Sequence, residues 1–120
     1  MAITPQELFE VRVPKGLREN PDRVKEFPLI LQFDVSGEGG GIWTVDTIGN
    51  PACVTVGARS DAQCVIQISS AALMELLASE PIGRPQLVMK YILDGDVEVE
   101  GDVGQAMKLS RVFSIADAGA

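Results

Sequence analysis

Histidine is absent from this 120-residue chain. Its absence removes the commonest general base, the commonest metal ligand and every Ser–His or Cys–His nucleophile pair. Only two cysteines occur, Cys53 and Cys64, and they are expected on different strands as free thiols. No apolar run approaches the roughly 18 residues of a membrane span; the best, Leu87 to Leu93, is interrupted by Lys90. The N-terminal MAITPQELFE lacks the basic-then-apolar layout of a secretion signal. The C-terminal DAGA is not a peroxisomal address of the Ser-Lys-Leu type. A cytoplasmic home follows as the expectation, in which thiols stay reduced.

Positive charge is also in short supply. Ten basic residues face 17 acidic ones, for a net charge of −7. Residues 1–33 carry five of each sign, so the whole excess lies in 34–120. Nothing here supplies the positive face that neutralises phosphates, so no nucleic-acid partner is expected. Anionic leaflets repel such a surface, and no stable membrane association is expected either.

What is present is a small, unusually apolar chain: 46% hydrophobic residues and a mean hydropathy of +0.17. A single domain over residues 1–120 fits that length. Thr4-Pro5 with Glu7 reads as a capped helix start, with the helix running to about Val11 and stopping before Pro14. Asn20-Pro21 repeats the signal, giving a short helix to about Phe27. Strands follow at Leu29–Val35, Ile42–Thr47 (Trp43 and Val45 on one face), Ala52–Val56, Cys64–Ile68 and Asp96–Glu100. Ser36 to Gly41 is a glycine-rich hairpin turn, not a phosphate loop, because a strand follows it and the G-x-x-x-x-G-K-[ST] layout is missing. Early hairpins and late helices predict an α+β fold: about five strands in a largely antiparallel sheet, covered by four or five helices.

Two of those helices are too apolar for a simple amphipathic role. Ser70–Ser79 holds Ala71, Ala72, Leu73, Met74, Leu76, Leu77 and Ala78. Gln86–Leu93 holds Leu87, Val88, Met89, Tyr91, Ile92 and Leu93 around Lys90. A surface helix needs an apolar stripe only about 100° wide. The surplus admits three covers: ordinary core, a partner subunit in a monomer–weak-homodimer balance, or a bound hydrophobic molecule. Lys90 reads as a snorkelling surface lysine. The ladder Asp94, Asp96, Glu98, Glu100, Asp102 alternates with valines. Same-face strand residues sit roughly 6.5–7 Å apart and cannot wrap an ion, so a solvated face is expected. No catalytic residue, metal or cofactor is expected.

The segment from Asp94 to Leu109, DGDVEVEGDVGQAMKL, adds a family resemblance. It reads as a strand, a break at Gly101, and a helix capped by Asp102 with Ala106, Leu109 and Phe113 as its buried stripe. The order strand, serine-capped helix, second helix, then G-K-(L/V)-x-(I/V)-x-G-(D/N)-x-x-x-A-M-(K/R)-L resembles the sterol carrier protein two family. It is matched here by Ala62–Ser69, Ser70–Ser79, Pro85–Leu93 and Gly95–Leu109, and Gln32–Val45 extends the likeness. A stand-alone, bacterial member is implied. Two departures stand out: Asp96, Glu98 and Glu100 replace lysines common in the family, and the helix before that strand is about one turn longer than in the animal carriers. The resemblance implies a hydrophobic tunnel between sheet and helices, with no enzymatic activity. It implies binding, and transfer, of a lipid or other hydrophobic small molecule, such as a fatty acid, acyl thioester or sterol-like compound. By motif order it implies Trp43, Leu73, Met74, Leu77, Val88, Ile92 and Met107 as ligand-binding walls.

Overall fold

The computed structural model describes residues 4–26, 28–49, 52–78 and 85–102, together with 104, 108 and 112. Strands β1 (Ile30–Ser36), β2 (Gly41–Asp46), β3 (Cys53–Val56), β4 (Cys64–Ser69) and β5 (Val97–Gly101) form one sheet in the order β3-β2-β1-β4-β5. Three of its pairings are antiparallel, as expected, and β1 with β4 is parallel. Register decides which residues share a face. Leu31 lies beside Val45 and Cys64, Phe33 beside Trp43 and Ile66, and Ile68 beside Val35 and Val97. Alternation then sends all of these to one apolar face and leaves Thr44, Gln32, Gln67 and Glu98 on the other. A sheet with one apolar and one polar face needs helices on one side only.

The turn between β1 and β2 is the glycine-rich hairpin expected, with Gly37 and Gly39 at φ of 92° and 73°. Those left-handed values exclude most other side chains. The connection from β3 to β4 has farther to go, because β2 and β1 lie between them. It is held to the polar face by Arg59. The Arg59 N–H donates to Gln32 Oε1 (3.2 Å), and its guanidinium bonds Asp46 (2.8 Å) and Asp61 (2.9 Å). Gln63 completes the strap: its N–H donates to the Ile30 carbonyl (2.8 Å) and its Oε1 accepts from the Ile30 N–H (3.0 Å). Burial pushes the Asp46 carboxyl up, but the Gly49 N–H, Arg59 and the Ile48 N–H outweigh it and hold the group below its ordinary range.

On the apolar face, α1 (Pro5–Glu7), a π-helical turn (Leu8–Arg12) and α2 (Val13–Glu19) follow one another without a break. Thr4 caps the start as expected, accepting the Glu7 N–H at 3.0 Å. The helix does not stop before Pro14, and the π turn gives the reason. A proline ring clashes with the carbonyl four residues back and donates no hydrogen bond. The wider turn just ahead, closed by Val13 N–H to the Leu8 carbonyl, makes room for it. The next helix is shorter than expected: α3 covers Pro21–Val24 and gives way to a turn at Lys25. Asn20 makes no side-chain cap to α3. Its Nδ2 instead donates backward to the Gly16 carbonyl at 2.9 Å, closing α2.

The late helices are α4 (Ser70–Ala78) and α5 (Pro85–Asp94). The Ser69 hydroxyl accepts the Ala72 N–H at 3.1 Å near the start of α4. Helix α2 packs on β3, α4 on β4 and α5 on β5. One hydrophobic cluster joins Leu8, Phe9, Val13 and Leu17 to the apolar sheet face, to Leu73 and Leu76 of α4, and to Val88 and Tyr91 of α5. Val112 is buried in the same cluster. Asp102 accepts the Gly104 N–H at 2.8 Å, in keeping with a capping role. Ala106, Leu109 and Phe113, expected as a buried stripe, lie outside the described residues. Among the described residues no helix is long and apolar enough to cross a membrane.

Candidate functional site

Six of the seven residues expected to wall a ligand space meet at one hydrophobic cluster; Met107 lies outside the described residues. Trp43, Leu73 and Val88 are buried in the cluster, and Met74, Leu77 and Ile92 pack half-buried against it. Trp43 is only 4% exposed. Its indole N–H donates to Glu10 Oε2 at 3.0 Å, and its ring stacks on Phe9 with centroids 5.1 Å apart. Phe9 in turn meets Phe33 at 4.9 Å. Trp43 therefore sits beneath the N-terminal helix, while Leu73, Met74 and Leu77 belong to α4 and Val88 and Ile92 to α5.

Sequence reasoning missed Phe9, Leu87 and Tyr91 as members of this region. The Tyr91 hydroxyl donates to the Glu75 carboxylate, tying α5 to α4. That bond, together with burial, pushes the Tyr91 pKa up to about 12. The available signal was that Glu75 and Tyr91 each place a polar group within an otherwise apolar helix.

The helices do not spend all their apolar surface on the core. Met89 is 39% and Leu93 78% exposed on α5, and Met74, Leu77, Leu87 and Ile92 remain half-buried. Nucleophilic chemistry has little to work with here. Burial, with a smaller contribution from the Asp102 charge, pushes the Cys64 thiol up to about 11, so it stays protonated and unreactive at neutral pH. Lys90 is exposed. Asp96, Glu98 and Glu100 are exposed while Val97 is buried, which is the alternation expected of the acidic ladder.

Two hollows open on the described surface. One, of about 430 Å³, lies over the end of the sheet's polar face and is lined by Asp34, Ile42, Gln67, Ser69, Asp96 and Glu98 among others. The other, of about 570 Å³, lies between α2–α3 and the β2–β3 turn, with Leu17, Arg18, Val24, Lys25, Ile48 and Ala52 in its walls. None of the seven expected residues lines either hollow.

The architecture has known counterparts. Structures of the apo form of Sterol Carrier Protein 2 from Yarrowia lipolytica and of palmitated SCP2L2 from Aedes aegypti share this fold. The first superposes with a TM-score of 0.66 at 20% identity, covering 88% of this chain and 86% of that one. The second gives 0.65 at 18% identity, covering 92% and 95%. In sequence, hydroxysteroid dehydrogenase-like protein 2 of Xenopus laevis is 30% identical over 95 residues, 78% of this chain and 22% of that protein. Its Bos taurus counterpart is 27% identical over 94 residues, 78% of this chain and 21% of that protein. The chain thus spans about a fifth of the length of these two relatives. The model of the SCP-2 sterol transfer family matches residues 12–114, covering the sheet, α4 and α5, and the chain belongs to that family.

Proposed function

We propose that this chain binds a lipid-like hydrophobic molecule without covalent chemistry, in a tunnel between the apolar sheet face and helices α4 and α5, and passes it on. The observation that carries this reading is the surplus apolar surface of the two helices: Met74, Leu77, Leu87 and Ile92 stand at the margin of the core, not within it. Thioethers such as those of Met74 and Met89 adapt to varied hydrophobic guests. Each Å² of acyl chain removed from water there contributes about 25 cal/mol. The palmitated relative of the same fold supports a fatty acid as the first ligand to try, with acyl thioesters and sterol-like molecules next. Without histidine, and with Cys64 buried, turnover is not part of the proposal. Two free thiols, on β3 and β4, suit a reducing cytoplasm.

Titration with a fluorescent fatty acid is the direct test, with saturable binding at micromolar levels expected. Leu77→Trp should fill the space without adding charge and weaken binding at least tenfold while the melting curve stays native. Absence of any saturable binding, with no lipid on extraction of the purified protein, overturns the proposal. A second reading rests on Met89 and Leu93, which lie one helical turn apart and are both exposed: α5 would meet a partner subunit and the interior would hold no ligand. Light scattering with and without lipid separates the two. A lipid-indifferent dimer that Leu93→Glu splits would favour the second.

A further inference from the structure

We infer that the hollow between α2–α3 and the β2–β3 turn is a binding site for a single-chain fatty carboxylate, at a location separate from the space between the sheet and α4–α5. The ligand class rests on the proposed function; the location rests on the walls of the hollow. Its volume of about 570 Å³ falls within the roughly 300–1,000 Å³ typical of small-molecule sites. The floor is apolar: Leu17 and Val24 are part of the core, Ala52 is half-buried, and Ile48 is 53% exposed over the opening. Such a lining gains by covering an acyl chain.

The rim is cationic. Arg18 and Lys25 both line the hollow and both are exposed. Neither forms an ion pair among the described residues, where the two bridges both belong to Arg59. In a chain of net charge −7, two unpaired cations flanking an apolar hollow are an exception. Together they complement a carboxylate, Arg18 through its planar fork and Lys25 as a point charge. Asp22 and Glu26 flank them in sequence but are absent from the lining. The carboxylate of the turn itself, Asp46, is already engaged by Arg59 and by the Ile48 and Gly49 N–H groups. The wall is also fixed before any ligand arrives. Thr47 exchanges hydrogen bonds with Leu29, its hydroxyl accepting the Leu29 N–H at 2.8 Å and its own N–H donating to the Leu29 carbonyl at 2.9 Å.

The test titrates the whole chain with laurate and with its uncharged methyl ester. Three variants are compared: Arg18→Gln with Lys25→Gln, Ile48→Glu, and Leu77→Trp. Neutralising both cations should lower laurate affinity about tenfold, equivalent to about 1.4 kcal/mol, and leave the ester within about twofold. Ile48→Glu sets a like charge over the opening at an exposed position, so it should lower laurate affinity at least as much with an unchanged melting curve. The site is overturned if wild type does not bind laurate, if neither groove variant changes laurate affinity, or if acid and ester weaken equally. Binding that ignores the groove variants but is lost in Leu77→Trp removes this site and keeps the proposed interior. Binding that is lost in the groove variants but survives Leu77→Trp keeps this site and removes the interior as the location.

Discussion

Truncating Phe9 to alanine tests whether the aromatic stack under the N-terminal helix is what locks that helix to the sheet. Phe9 is fully buried and sits between Trp43 and Phe33, with ring centroids 5.1 and 4.9 Å away. Removing such a ring costs about 3–5 kcal/mol from lost transfer energy and the cavity left behind. The stacking beyond area burial accounts for about 0.5–1.5 kcal/mol more of what is lost, placing this site at the upper end. Alanine's better helix propensity returns about 0.5 kcal/mol, so the net destabilisation is about 4 kcal/mol. Against a total stability of about 5–15 kcal/mol, that is a large share. At roughly 3–5 °C per kcal/mol for a chain of this size, Tm should fall by about 12–20 °C. Thermal melts by circular dichroism give the loss, and the emission of Trp43, the chain's one tryptophan, should shift as the ring gains space or water. Phe9→Leu should lose only about 1–1.5 kcal/mol. A Phe9→Ala loss under about 1.5 kcal/mol with unchanged emission would refute the reasoning, because the helix would then be held by something other than this stack.

Asp46 supplies a pH dependence. Its folded pKa lies below the unfolded value, so its contribution is present above about pH 4 and is lost as pH falls through the lower folded value. Urea midpoints of wild type and Asp46→Asn should therefore differ at pH 6 and converge toward pH 2.5; a constant gap would count against the Arg59 strap. Tyr91 is the single tyrosine, so its tyrosinate absorbance titrates cleanly. It should titrate near 12 in wild type and move back toward about 10 in Glu75→Gln, and an unmoved midpoint would show that the two helices are not joined through this pair. Replacing Asp96, Glu98 and Glu100 together with lysine should strengthen binding to anionic vesicles by about 1 kcal/mol per lysine that reaches the leaflet and speed ligand transfer to them. Unchanged transfer would leave the ladder with solubility alone.

The faces of the sheet could be read from the sequence because strand alternation is a local signal. Trp43 with Val45, and Val97 against Glu98, fall where a period of two puts them. The Thr4 cap was legible for the same reason, since donor and acceptor lie three residues apart. Pro14 misled because the rule that ends helices before proline has an exception, the π turn, whose closing bond is not encoded by any one residue type. Asn20 misled because the same side chain can cap forward or back, and only the position of the Gly16 carbonyl decides. The strap at Arg59 was invisible: it joins residues 27 positions apart in the chain, and that pairing exists only once β1 and β4 lie parallel. The candidate site divides along the same line. Surplus apolar surface on α4 and α5 showed in their composition, whereas the groove under Arg18 and Lys25 is assembled from α2, α3 and the β2–β3 turn and has no local signature.

The acidic ladder looks different once β5 is seen to be the last strand of the sheet. An outermost strand offers unpaired backbone groups to any second strand that approaches. Exposed Glu98 and Glu100 stand on one face of β5, with exposed Asp96 just before it. A second copy adding antiparallel at that border, with its polar face aligned, would set carboxylate opposite carboxylate, and like charges directly opposed destabilise a strand pair. At the far border, β3 offers only Cys53–Val56, too short a template for much pairing. The same three acids that set this chain apart from its basic relatives thus keep a very apolar protein from growing its sheet into a fibre.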